Sequence, residues 1–200
     1  VAAAKAVLRD APLPPWRRAE ILDAAAVAVA AHRDELAHII AEEAAKPIKT
    51  ARVEAERAVL TFQSAAIEAR TLVGEIVPMD GAQPGAGKLA FTLRVPRGVV
   101  GAISPFNFPL NLVAHKLAPA IAAGCPVVLK PASQTPLSAI RLHEILMDEC
   151  GLPAGWINVV TGPGGAVGDP LVEHPDVAVI TFTGSPEVGW GIRAKAAEKH

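Results

Sequence analysis

The sequence predicts an α/β fold, a doubly wound parallel sheet preceded by helices. From Gly98 onward, short Val/Ile/Leu runs alternate with segments of helix length. Strands that read as continuous apolar runs are covered on both faces, and their alternation with helices is the pattern of a parallel sheet. Before Gly98, apolar residues recur at steps of three and four, the spacing of one helix face. Of the 200 residues, 51% are hydrophobic and 20% charged, which suits a packed core and not a disordered chain. The net charge is −1 with acids and bases interleaved. That argues against a nucleic-acid partner or an acidic membrane surface.

Leu22, Ala25, Val29, His32, Leu36 and Ile39 make one stripe on a helix expected from about Pro15 to Ala45. Pro14 and Pro15 suit its start and Pro47 its end. A second helix is expected over Lys49–Val73, with Val53, Ala58, Leu60, Ile67 and Leu72 among its apolar residues and Gly74 as its stop. The alanine-rich run Ala24–Ala31 is short and flanked by charges. No apolar run reaches the ~18 residues of a membrane span, so neither an anchor nor a signal peptide is expected. Met79–Gly87 reads as a loop. In Lys88–Pro96, Leu89, Phe91, Leu93 and Val95 alternate with Lys88, Ala90, Thr92 and Arg94. That period of two predicts a half-buried strand that leaves the main sheet and pairs elsewhere.

Four buried strands follow, at Val99–Ile103, Pro126–Leu129, Ile157–Val160 and Val177–Phe182. Helices are expected at Leu110–Ala123, Pro136–Cys150, Ala166–Glu173 and Pro186–Lys199. In such a sheet, ligands bind beyond the carboxyl ends of the strands. The residues there are Ser104 to Asn107, Lys130 to Ser133, Thr161 to Gly165 and Thr183 to Ser185. The set is polar, rich in glycine and contains one lysine, which suits a phosphate-bearing cofactor.

Taken singly, these loops have bland readings too. Gly162–Gly168 follows a strand and opens a helix, but a G-x-G-x-x-G spacing would need glycine where Val167 stands. It reads equally as a tight turn. Lys130 is either a lysine snorkelling at a strand end or a cation aimed at a ribose or phosphate, with Ser133 beside it. Asn107 either satisfies its own loop or donates to an oxyanion. His115 and His143 lie in helices without a partner acid and read as structural. Cys125 and Cys150 are far apart and lack metal-ligand spacing. Two reduced, buried thiols and no metal are expected.

Four segments in order, ISPFNFPLN (103–111), APAIAAGCPVVLKPASQTPLSA (118–139), GLPAGWINVVTG (151–162) and FTGSPEVG (182–189), resemble the aldehyde dehydrogenase superfamily. EEAAKPIKTARVE (42–54) fits as well. The flavour is nearest the semialdehyde, glyceraldehyde-type and lactaldehyde-type members. The resemblance implies a cofactor domain with its helical part at 1–84, an oligomerisation strand at 85–97 and a parallel NAD(P)-binding part at 98–200. It implies that Asn107 holds the oxyanion of a cysteine thiohemiacetal, and that Ser104, Pro105 and Phe106 lie along the nicotinamide. Lys130 and Ser133 match positions at the adenosine ribose, and Gly164 and Gly165 a turn near the adenine. Gly184 to Gly189 matches the start of the helix under the pyrophosphate, where Ser185 donates to phosphate and Val188 packs on the adenine.

Two departures stand out. Ser133 occupies a place where many NAD-preferring relatives have glutamate, which removes a repulsion against a 2′-phosphate. Pro186 replaces a common serine or threonine, and proline suits a first helical turn. The cofactor implied is therefore NADP or NAD. The expected partners are a small aldehyde and further copies of the chain, as a homodimer or homotetramer, and the expected compartment is the cytoplasm. Cys125 and Cys150 do not match the family's nucleophile, which the resemblance puts beyond these residues together with the general base. The rival reading is a truncated, non-catalytic nucleotide-binding or assembly module.

Overall fold

The computed structural model describes residues 1–198. Four helices come first: α1 (Ala2–Asp10), α2 (Pro15–Ala31), α3 (Arg33–Ala44) and α4 (Ile48–Thr71). The single helix expected over Pro15–Ala45 is broken at His32. The carbonyl of that residue still accepts from the Leu36 amide, while its ring bridges Glu35 (2.6 Å) and Glu149 (2.8 Å). A polar residue in the apolar stripe thus marks the joint. Helix α1 has no counterpart among the expected elements, and its Ala4 is fully buried against the sheet.

Helix α4 buries a face of small residues, Ala51, Ala55, Ala58, Ala65, Ala66 and Ala69, around Phe62. Alanine lets helices approach closely. Of the apolar residues named for this helix from the sequence, Ala58 is buried, whereas the larger Val53, Leu60, Ile67 and Leu72 are exposed. Gly74 is not a helix stop of the usual kind. The helix has already ended at Thr71, and a Cβ on Gly74 would lie 1.7 Å from the carbonyl oxygen of Thr92. Glycine is needed there because two backbones cross.

That crossing opens a small antiparallel ribbon of β1 (Ile76–Val77) and β2 (Ala90–Phe91), with Ile76 opposite Phe91. The alternating segment therefore leaves the main sheet, as its pattern predicts. It is not half-buried: Leu89, Phe91, Leu93 and Val95 are all exposed. Two 3₁₀ turns punctuate the intervening Gly- and Pro-rich loop.

The main sheet contains β3 (Val99–Ile103), β4 (Val127–Lys130), β5 (Ile157–Val159) and β6 (Val177–Phe182), all parallel in the order β5-β4-β3-β6. Alternate residues face two cores. Val100, Ala102, Val127, Leu129 and Ile157 join α2, α4, α5 (Asn111–Ala122) and α6 (Leu137–Asp148). Val99, Val128 and Val177 pack with Ala4 and with Leu171 of α7 (Asp169–Glu173). Strand β6 lies at an end of the sheet and is not buried throughout, since Ala178 and Val179 are exposed. The helix expected at Ala166–Glu173 is a π-helical turn over Gly164–Gly168 followed by the shorter α7. The last helix, α8, covers Pro186–Ala197; Lys199, the expected end, is outside the described residues.

The order reverses at β3. The chain steps from β3 to β4 to β5 and then returns to place β6 on the other side of β3. A doubly wound sheet opens a crevice at such a switch point, at the carboxyl ends of the two diverging strands. Phe62 is fully buried where α4 meets this core. Phe62→Ala is expected to cost about 3–5 kcal/mol in unfolding free energy, whereas Leu60→Ala, at an exposed position, should stay within about 0.5 kcal/mol. Urea titration of both variants checks the contrast, and equal losses would contradict this core.

Candidate functional site

At the switch point the two strand ends are tied together. The Thr183 amide donates to the carbonyl of Ile103 (3.2 Å), and the Ser104 amide donates to that of Lys130 (3.2 Å). Ser104 is 5% exposed, and its Oγ finds no partner among the described residues. Pro105 is half-buried, whereas Phe106 and Asn107 are exposed. No hydrogen bond occupies the Asn107 side-chain amide among the described residues.

What holds this loop lies in α4. The Glu54 carboxylate, 1% exposed, accepts from the amides of Leu110 (3.0 Å) and Asn111 (3.1 Å) at the start of α5. These are amides that a helix leaves unpaired at its N-terminus, where negative charge is favoured. The other carboxylate oxygen accepts from Lys46 Nζ (2.6 Å). The same ammonium donates to the carbonyl of Asn107 (2.6 Å) and sits 4.1 Å from the centroid of the Phe108 ring. One buried acid thus fixes the start of α5 and, through Lys46, the peptide of Asn107. Neither Glu54 nor Lys46 emerges from sequence reasoning about strand ends, because both precede the sheet by more than forty residues. The available signal is an acid among the alanines of the buried face of α4.

Helix α5 adds a second residue that strand ends do not reveal. Lys116 is 4% exposed and donates to the hydroxyls of Thr183 (2.8 Å) and Thr181 (3.4 Å). Burial pushes its pKa down to about 8. It lies on the stripe of Val113, Leu117 and Ala120, and a lysine there is the visible anomaly.

Further along the rim, Lys130 ends β4 with its ammonium donating to the Pro131 carbonyl (3.0 Å), and burial lowers its pKa. Ser133 is exposed and donates to the carbonyl of Gly162 (2.8 Å), so it ties the loops after β4 and β5. Gly164 and Gly165 open the π-helical turn, and a Cβ on either would meet nothing within 4 Å. Gly184 and Gly189 are constrained differently. A Cβ on Gly184 would lie 2.4 Å from Cζ of Phe182, and one on Gly189 3.3 Å from its Cε1. The ring of Phe182 lies across both. Ser185 caps α8, its Oγ accepting from the Val188 amide (3.4 Å), and Pro186 takes the first turn. Val188 is exposed.

The sequence-predicted residues thus share one edge of one sheet. Ser104 and Lys130 are joined directly, and Ser133 reaches Gly162 in the next loop. The Val188 amide reaches Ser185, whereas the Asn107 side chain and the pair Gly164–Gly165 make no tie to another of these residues among the described residues. Of the histidines, His143 contacts the Ile157 carbonyl (3.2 Å), and His115 is exposed on α5. Cys125 and Cys150 are buried and unbridged. Burial pushes the Cys150 thiol up to about 11, which suits an inert core residue.

A doubly wound α/β domain with its polar residues gathered at the switch point is the class that this geometry defines. Within that class the chain belongs to the aldehyde dehydrogenase family, whose model matches residues 1–200. It is 50% identical over 98% of its length to the 3-sulfolactaldehyde dehydrogenase of Priestia aryabhattai, and spans 41% of that relative. Its fold matches the NADP-dependent glyceraldehyde-3-phosphate dehydrogenase of Bacillus halodurans complexed with NADP. That match has a TM-score of 0.90 and 41% identity over 98% of this chain and 41% of the other. The betaine aldehyde dehydrogenase of Staphylococcus aureus in complex with NAD+ matches with a TM-score of 0.93 and 31% identity over 99% of this chain and 39% of the other.

Two outcomes check the site's supports. Glu54→Gln leaves Lys46 without its counter-charge and sets the new NH2 against either the Lys46 ammonium or the two amides of Leu110 and Asn111, and is expected to cost about 3 kcal/mol. A urea-unfolding loss below about 1 kcal/mol would contradict the network. Lys116 has a folded-state pKa below its unfolded value, so the unfolded chain binds more protons between about pH 8 and 10.5. Unfolding free energy should therefore rise with pH across that window relative to Lys116→Met. A pH-independent difference between the two proteins would place Lys116 in water.

Proposed function

We propose that this chain supplies the cofactor site and the oxyanion donor of an enzyme that oxidises an aldehyde to a carboxylic acid with NADP or NAD. The observation that carries the reading is the free amide of Asn107, anchored through its own carbonyl by Lys46 beside the switch point of a family member's sheet. The named activities of the relatives, on aldehydes and with nicotinamide cofactors, support it.

The residues present fit such a cofactor. Ser104 Oγ is a buried hydroxyl with capacity to spare, and Gly164 and Gly165 leave open space at the rim. Lys130 and Ser133 would hold the adenosine ribose, Gly184, Ser185 and Gly189 the pyrophosphate, and Val188 the adenine. Ser104, Pro105 and Phe106 would border the nicotinamide. When bound, the cofactor accepts a hydride. The task of Asn107 is to donate its amide to the oxygen that gains charge when a cysteine thiolate adds to the aldehyde carbonyl. That cysteine, and the base that would activate water to release the acid from the thioester left once the thiohemiacetal has given up its hydride, belong to segments other than these 200 residues. The rim contributes binding and orientation, and Lys116 steadies Thr183 from beneath.

We further infer the division of this part into a helical portion (1–84), an oligomerisation segment (85–97) and a cofactor-binding α/β portion (98–200). The exposed row Leu89, Phe91, Leu93 and Val95 supports assembly as a homodimer or homotetramer. No helix among the described residues is long and apolar enough to cross a membrane, and the reading places the enzyme in the cytoplasm.

In the full-length enzyme, Asn107→Ala should lower kcat by about 10²–10³ with little change in cofactor affinity. An unaltered kcat, with chemistry rate-limiting, would assign Asn107 to structure. No acid at position 133 opposes a 2′-phosphate, so NADP+ should bind at least as well as NAD+. Ser133→Glu should move the preference toward NAD+. Titration of both cofactors tests this: an unchanged NADP+/NAD+ ratio would confine Ser133 to its bond with Gly162.

A further inference from the structure

Helix α3 lies antiparallel to α6 and is tied to it along its length. His32, at the start of α3, meets Glu149 just past the end of α6 (2.8 Å), and Glu35 accepts from Arg141 (2.6 Å). Glu43, in the last turn of α3, meets the start of α6. Its carboxylate accepts from the amides of Leu137 (2.6 Å) and Ser138 (2.9 Å), one on each oxygen. An acid in the last turn of a helix is disfavoured by the dipole of its own helix and favoured by that of the helix it faces. Helix α6 has no cap of its own, because Pro136 stands at the cap position and offers no side-chain acceptor. Glu43 supplies that cap from 94 residues upstream of Leu137.

The cap closes a short loop. Residues 131–136 join β4 to α6, and the prolines at both ends have no amide to donate. The Thr135 amide donates to the Ala132 carbonyl (3.2 Å) and turns the loop, while the Ser133 hydroxyl reaches Gly162. The Lys130 ammonium rests on the first carbonyl of the loop, that of Pro131. Lys130 and Ser133 therefore take their positions from a segment whose far end is held by Glu43. Next to Glu43 the chain turns through Ala45, whose φ of 50° is left-handed and disfavoured for a residue with a Cβ. Such a conformation persists where its surroundings impose it. Here Glu43 grips α6 on one side of the turn, and Lys46, bonded to Glu54 and to the Asn107 carbonyl, grips the loop before α5 on the other. One elbow thus sets the loops after β3 and β4 relative to each other.

Resting on the cofactor reading above, we propose that Glu43 is a positioning residue for the adenosine half of the cofactor. It touches no ligand. By capping α6 it holds residues 131–136 so that Lys130 and Ser133 face the ribose, whereas the Lys46–Glu54 pair serves the Asn107 end of the same elbow.

The test uses the full-length enzyme and two readouts: the dissociation constant of ADP-ribose, which has the adenosine and pyrophosphate but no nicotinamide, and the split between KM and kcat for NADP+. Glu43→Ala should weaken ADP-ribose binding and raise the KM for NADP+ about tenfold, the scale of a lost cap, and leave kcat at saturating cofactor unchanged. Glu43→Gln keeps one acceptor and should fall between Glu43→Ala and wild type. Glu35→Gln weakens a different tie between α3 and α6, away from the loop, and should leave cofactor affinity as it is. Unchanged affinity in both Glu43 variants would overturn the proposal, and so would an equal loss in Glu35→Gln, which would reduce the effect to general docking of α3. Lys130→Ala separates this proposal from the reading it rests on. If Lys130→Ala weakens ADP-ribose and the Glu43 variants do not, only the role of Glu43 fails. If none of them does, the cofactor reading of this rim fails as well.

Discussion

Everything at this site hangs on one buried carboxylate. Glu54 sits in a helix whose packing face is otherwise alanine, and its two oxygens serve three donors: two amides at the head of α5 and the ammonium of Lys46. A charge buried without partners would be prohibitive, and one partnered in this way becomes a fixed point. Because Lys46 also donates to the Asn107 carbonyl, the carboxylate determines where α5 begins and which way the loop after β3 turns. The free amide of Asn107 inherits its position from an acid in an earlier helix.

The sheet supplies the second constraint. Reversal of strand order beside β3 opens a crevice that no connection needs to cross. Its floor is sealed by ordinary bonds, such as the Thr183 amide to Ile103 and the Lys116 ammonium to Thr183. The wall beyond β6 is shaped by contact: the Phe182 ring lies so close to Gly184 that any side chain there would displace it.

Much of this was legible in the sequence, for reasons of scale. Strands buried on both faces are apolar along most of their length, so β3, β4, β5 and β6 stand out as short runs, and topology alone puts the residues after them at the carboxyl edge of the sheet. The alternation at Lys88–Pro96 revealed a strand outside that sheet. Its burial is not fixed by that pattern, because period two reports only that two faces differ, not that one is covered. The break at His32 leaves no mark in the sequence because the apolar stripe continues through it. The π-helical turn at Gly164–Gly168 was hidden by a glycine-rich loop that suits several turns. Least visible was the support of the site. Glu54, Lys46 and Lys116 act across long sequence separations, and polar residues inside helices carry no local mark of what they will touch.

The most direct measurement of the central claim is a crystal structure of the full-length protein with NADP+. The account predicts pyrophosphate at the start of α8 beside Ser185, the adenosine ribose at Lys130 and Ser133, and the nicotinamide along Ser104–Asn107, with the Lys46–Glu54 bridge intact. Cofactor bound away from the carboxyl ends of β3 and β6, or an Asn107 amide turned away from the nicotinamide, would contradict it.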